Sequence, residues 1–146
     1  VVETNQVRKF VKGHKHYSIH ALSESISKKE LIQSLEFLET HLKENPRDGV
    51  KLFGVITSQV RRLLVVKYFL SERLSETEIF SKLRIHPFLG RQLLRNTRGF
   101  TLTELENIQA HLAEIDLRIK YQQKHVRPLF QNLLEKICLG NFSSAV

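Results

Sequence analysis

One cysteine, Cys138, and no methionine occur in this chain of 146 residues, and each scarcity excludes something. A lone thiol cannot close an internal disulfide, so packing must hold the fold, and a reduced, cytosolic setting is the expectation. No run of about 18 or more apolar residues is present to span a membrane as a helix, and no targeting segment is visible. With no methionine even at position 1, the opening VVETNQVRKFVKG reads as a cut from something larger. The phosphate loop GxxxxGK[ST] is absent, as are GxSxG and HExxH, so neither ATP binding of that kind nor hydrolysis by those routes is expected. No catalytic residue and no cofactor is assigned.

What is present reads as helix almost throughout. The length fits one domain that can bury a core without metals or disulfides. Ser27 and Glu30, Ser75 and Glu78, and Thr101 and Glu104 have the spacing of a capping box. There the hydroxyl accepts from a backbone N–H three residues on and the carboxylate reaches back to the cap's own N–H. Leu31, Leu35, Leu38 and Leu42 line one face of a helix ending before Pro46. A long helix is predicted from about Asp48 to Ser71, with its second half apolar nearly all round, as in a central, multiply contacted helix. Ser75 to Leu83 forms a short helix, and Pro87 opens the next one. Leu105, Ile108, Leu112, Ile115 and Ile119 make a seam of roughly four turns. Pro128 opens a last helix with Leu129, Leu133 and Ile137 inward, closed by Gly140. Tyr17 to Ser25 is a further candidate, and no alternating strand pattern occurs. The fold class is therefore all-α, a bundle of about six or seven helices, with a frayed tail over 141–146.

Few side chains carry chemistry. His14, His16 and His20 alternate, but no cysteine or carboxylate nearby completes a tetrahedral metal set, so solvated residues are the better reading. Cys138 lies in the apolar register of the last helix, as an inert buried thiol does. Asp116 and Lys120 stand four apart in the acid-first order that supports a helix. The charge placement has more weight. The formal net charge is +8, favouring nucleic acid, acidic proteins or anionic surfaces as partners. Between Ile79 and Thr103 there are Lys82, Arg84, Arg91, Arg95 and Arg98 with no acidic residue. At 100° per residue, Arg91, Arg95 and Arg98 share a face opposite Leu89 and Leu93. Such a stripe can grip phosphates or meet an acidic patch on a partner. Arg61 and Arg62 interrupt the most apolar helix and must lie at an exposed edge or meet carboxylates of a neighbour.

The segment HPFLGRQLLRNTRGFTLTELENIQAHLAEIDLRIK, His86 to Lys120, resembles the C-terminal domain of the delta subunit of bacterial DNA polymerase III, a clamp-loader subunit. HYSIHAL, the Asn-Pro-Arg-Asp break, LFGVITSQVRRLLVVKYFL and the closing LFQNLLEKICLG are similar to the family's order of elements, so the resemblance covers roughly Lys15 to Gly140. It implies that residues 15–140 are a helical collar domain, and that 1–14 end a preceding lid domain or linker. It also implies a scaffold without a working ATP site that assembles delta with tau/gamma and delta-prime into a pentameric loader. The sliding clamp and primed DNA are contacted through an N-terminal part, in the bacterial cytoplasm, within the DNA polymerase holoenzyme. The family carries an Asp and a Lys at the spacing of Asp116 and Lys120, which suggests a role in fixing the neighbouring loop or a subunit contact. Arg61, Arg62, Arg91, Arg95 and Arg98 are the other candidates for subunit or phosphate contacts. His20 and the basic stretch Lys120 to Arg127 depart from the family pattern.

Other readings stay open. The helix, turn and Pro-initiated helix of Ser75 to Thr97 invites a helix-turn-helix comparison, although its turn lacks the usual glycine. A stand-alone basic nucleic-acid-binding module predicts steep salt dependence on bare DNA. A helical adaptor predicts neither DNA binding nor clamp-loader association.

Overall fold

A computed structural model describes residue 19 and residues 21–121 and 126–140. The expectations for residues 1–14, for the three-histidine cluster, for the start of the first helix, for most of the connection before Arg127 and for the 141–146 tail fall outside them. Among the described residues all regular structure is helical: α1 over 21–27, α2 Leu31–Glu44, α3 Gly49–Ser71, α4 Glu76–Leu83, α5 Pro87–Thr97, α6 Leu102–Tyr121 and α7 Val126–Leu139. No helix among these residues is long and apolar enough to cross a membrane.

The long α3 is the axis, packing along α6 and against α5, while α7 bridges α2 and α6. The periodicity dictates this. Leu52, Ile56, Val60, Leu63 and Val66 recur at threes and fours along α3, and all are buried. They meet the seam of Leu105, Ile108, Leu112, Ile115 and Ile119 on α6, buried as its spacing requires. Phe130, Leu133, Leu134 and Ile137 of α7 complete the core with Leu38 and Leu42 of α2 and Leu22 and Ile26 of α1. Each such side chain contributes about 1.5–3 kcal/mol on burial, whereas an exposed ion pair contributes about 0–1 kcal/mol. The seams, not the surface charges, hold the bundle. Tyr68 and Leu70, read as part of an all-round apolar surface, are exposed near the end of α3.

Two of the three expected capping boxes form in part. The Ser75 hydroxyl accepts from the Glu78 N–H at 3.3 Å, and the Thr101 hydroxyl accepts from the Glu104 N–H at 3.0 Å. Their carboxylates turn elsewhere: Glu78 accepts from the Ser75 hydroxyl and Glu104 pairs with Lys29 Nζ at 2.7 Å. The Ser27 box does not form. Ser27 is buried in the last turn of α1, donating to the Ser23 carbonyl at 2.9 Å and accepting from Gln59 Nε2 at 2.6 Å. Glu30 caps α2 by position alone, without a side-chain bond. The cause is the turn between α1 and α2, where Lys29 takes φ 59° and the Glu30 N–H reaches back to the Ser25 carbonyl. This is a Schellman ending, usually built on glycine.

The ends of α3 and α4 repeat that device. Arg73 and Arg84 sit at φ 63° and 54°, and the N–H groups of Leu74 and Ile85 return to the carbonyls of Phe69 and Phe80. Leu74 and Ile85 pack against the core, the apolar contact that accompanies this motif. Between α2 and α3, buried His41 Nε2 lies 2.9 Å from Asp48 Oδ2, joining the end of one helix to the start of the next. Pro128 is the third residue of α7, whose first turn begins at Val126, a turn position that tolerates proline as the second residue would. Gly140 follows at φ 72°.

Candidate functional site

The basic stripe is carried by α5, an eleven-residue helix fixed at both ends. At its start the His86 ring nitrogen Nδ1 accepts from the Phe88 N–H at 3.2 Å, with Pro87 in the first turn. At its end Lys67 Nζ donates to the Thr97 carbonyl at 3.3 Å, bringing a cation to the negative end of the helix dipole. Beyond it Phe100 is buried, with Lys29 Nζ 4.6 Å above its ring. The Lys29–Glu104 pair thus clamps the α5–α6 junction to the α1–α2 turn.

The buried face of α5 is Gly90, Leu93, Leu94 and Thr97, at the spacing i, i+3, i+4, i+7. Leu89, expected to anchor the helix with Leu93, is 49% exposed. Glycine was not counted as an inward residue, yet Gly90 sets the face. A Cβ there would stand 2.9 Å from Phe80 Cζ, and closer still to the ring's near edge. The absent side chain lets α4 and α5 meet.

Two grooves flank α5. One is lined by Glu76, Phe88, Arg91, Leu94, Arg95 and Arg98 and encloses about 410 Å³, so all three stripe arginines share it. Phe88 is 58% exposed at its rim and Leu94, 8% exposed, forms its floor. Neither Phe88 nor Glu76 was picked from the sequence; Glu76 stands outside the acid-free window but folds back beside the stripe. The other groove, of about 220 Å³, is lined by residues of α1, α3 and α5, including Glu24, Gln59, Arg62, Leu89 and Asn96. Arg61 and Arg62 are exposed, as their position on α3 requires, and Arg62 serves this second groove. Asp116 and Lys120 pair with each other at 3.0 Å near the end of α6. The seven candidate residues therefore occupy separate surfaces: Arg91, Arg95 and Arg98 share one groove, Asp116 and Lys120 pair with each other, and Arg61 and Arg62 lie on α3.

No other cluster among the described residues suggests chemistry. Among the described residues no group of three His, Cys, Asp or Glu side chains is arranged to hold a metal ion. Burial, then the nearby Lys136 charge, pushes the His111 pKa down, which favours its neutral form. Burial also pushes the Cys138 thiol up to about 11, outweighing the Lys29 charge and the Ser34 hydrogen bond, which act downward. At pH 8 the thiolate is then on the order of one part in a thousand. Alkylation by iodoacetamide at pH 8 should be about 100-fold slower in the native protein than in denaturant, followed by intact mass. Equal rates in both would place Cys138 at the surface.

The comparisons with known proteins agree with this architecture. The family model described as DNA polymerase III delta subunit, C-terminal domain, matches residues 16–137. DNA polymerase III subunit delta of Bacillus subtilis strain 168 is 26% identical over 140 residues, covering 96% of this chain and 40% of that protein. The solved structure of the Bacillus subtilis DNA clamp loader delta protein superposes with a TM-score of 0.70 at 28% identity, covering 84% of this chain and 36% of the other. This chain thus spans well under half the length of either relative. Agreement of the family match with the order and packing of the helices leaves one assignment: the chain belongs to the family of C-terminal domains of the DNA polymerase III delta subunit.

Proposed function

We propose that this domain is the collar of a clamp-loader delta subunit, a scaffold that fixes delta beside tau/gamma and delta-prime in a pentameric assembly. The family match over residues 16–137 carries the reading. A helical bundle with exposed arginines suits a scaffold. On this reading residues 15–140 are the collar, and 1–14 belong to a preceding lid domain or linker. ATP-driven changes elsewhere in the loader pass through the collar to the clamp-opening element. The sliding clamp and primed DNA are bound through the N-terminal part of delta, in the bacterial cytoplasm, serving the polymerase holoenzyme. The domain itself does no chemistry. Arg61, Arg62, Arg91, Arg95, Arg98 and the Asp116–Lys120 pair are the proposed subunit or phosphate contacts.

A pull-down of delta with the C-terminal domains of tau/gamma and delta-prime from the same organism tests this. A stoichiometric complex that persists at about 0.2 M salt supports the collar. The net charge of +8 gives substance to the rival nucleic-acid module. That rival predicts no such complex, but DNA binding whose affinity falls about 10³–10⁵-fold between 50 and 200 mM salt.

A further inference from the structure

We infer that the groove beside α5 receives a helix of a neighbouring subunit on which acidic side chains flank one large apolar side chain. This rests on the collar reading and names the chemistry of one of its interfaces. Arg91, Arg95 and Arg98 stand at i, i+4 and i+7, so their file extends about 10 Å along the axis at 1.5 Å per residue. A partner helix with carboxylates at the same spacing meets all three. The guanidiniums outnumber the carboxylates of the groove, where Glu76 is the single acidic lining residue. The ion pairs found among the described residues engage other groups, from Lys28–Glu24 to Arg127–Glu39. The stripe's charge is left for a partner to complement.

The apolar anchor follows from Phe88 and Leu94. Phe88 holds its ring at the rim, 58% exposed, above a Leu94 floor. Aromatic and arginine side chains around a desolvated centre are the composition of interface hot spots. The site is also pre-formed. The His86 cap, the Lys67 bond to the Thr97 carbonyl and the Gly90 contact hold α5 in place, so the backbone needs little ordering on binding and the cost falls on the arginine side chains.

Glu76 separates a protein occupant from a nucleic acid. A single strand carries a phosphate charge about every 3.4 Å, and a backbone that follows the arginines must pass Glu76 against like-charge repulsion. A protein helix can set an amide, hydroxyl or lysine opposite Glu76 and carboxylates opposite the arginines. The groove thus favours a patterned partner over a uniform polyanion.

The test titrates full delta against the preassembled tau/gamma and delta-prime subunits by biolayer interferometry. Variants are Arg91/Arg95/Arg98→Glu, the milder Arg91/Arg95/Arg98→Gln, Phe88→Ala and the distant Glu44→Gln. The charge reversal should weaken binding about 100-fold or more and Phe88→Ala about 10-fold. The glutamine set should fall between them, and Glu44→Gln should bind as the native protein does. Thermal melts within about 3 °C of the native protein confirm intact folds, since the altered groups are exposed. A native complex that every variant forms within twofold overturns the groove and leaves the collar standing. Failure of native delta to form the complex overturns both. A 20-nucleotide single strand that binds native delta tightly and loses binding on the same variants overturns the protein occupant in favour of nucleic acid.

Discussion

Replacing Phe130 with alanine should lower the free energy of unfolding by about 3–5 kcal/mol. Phe130 is fully buried and heads the largest buried side chains of the core. It sits in α7, the helix that bridges α2 and α6. Truncation loses the transfer free energy of the ring and leaves a cavity among close-packed neighbours that relax only in part. Domains of this size are stable by about 5–15 kcal/mol, so the loss is about a fifth of the total or more. In urea the midpoint should fall with the slope unchanged, the mark of a stability change without a change in exposed surface. By contrast Lys120→Ala, which breaks only the exposed Asp116 pair, should cost under about 0.5 kcal/mol. A Phe130→Ala cost near that of Lys120→Ala would contradict the placement of α7 in the core.

Two glycine-to-alanine changes in helices should move stability in opposite directions. Alanine in place of a helix-interior glycine normally gains up to about 1 kcal/mol, because it lowers the entropy lost on folding. Gly54 in α3 is exposed and a Cβ there meets nothing within 4 Å. Gly54→Ala should therefore stabilise by about 0.5–1 kcal/mol. At Gly90 the new methyl meets the Phe80 ring, which is itself packed against the core. Overpacking of this kind costs about 1–3 kcal/mol, which outweighs the propensity gain and drives α4 from α5. Paired denaturant titrations of the two variants check the signs. Stabilisation by Gly90→Ala equal to that by Gly54→Ala would mean that α4 and α5 do not meet at this point.

Much of the fold was legible because the α3 and α6 patterns are long and regular. A seam from Leu105 to Ile119 has one helical solution, and the Asn-Pro-Arg-Asp break fixes where α2 ends and α3 begins. The Ser27 box failed for a definable reason. Ser, two residues and Glu also occur by chance at the end of a helix, and Lys29 turns the chain in a conformation that sequence reading assigns to glycine. Arg73 and Arg84 take the same conformation, yet the ends of α3 and α4 at Ser71 and Leu83 fall where the sequence reading puts them.

The candidate site was half legible. The i, i+4, i+7 spacing of Arg91, Arg95 and Arg98 placed them on one face, and they share one groove. The opposite face was misjudged, because the four-residue step from Leu89 to Leu93 looks like an anchor while the true inward set begins at Gly90. A glycine with no side chain carries no hydrophobic signal, and only its approach to Phe80 reveals it. Glu76 and Phe88 could not be assigned to the groove from spacing, since their meeting depends on the crossing of α4 with α5.

The collar role is tested most directly by the native mass of a loader reconstituted from tau/gamma, delta-prime and delta, beside one made with delta cut after the residue before this domain. A scaffold predicts a pentamer with whole delta and, with the truncated subunit, an assembly that lacks delta. A pentamer that retains truncated delta would contradict the central claim.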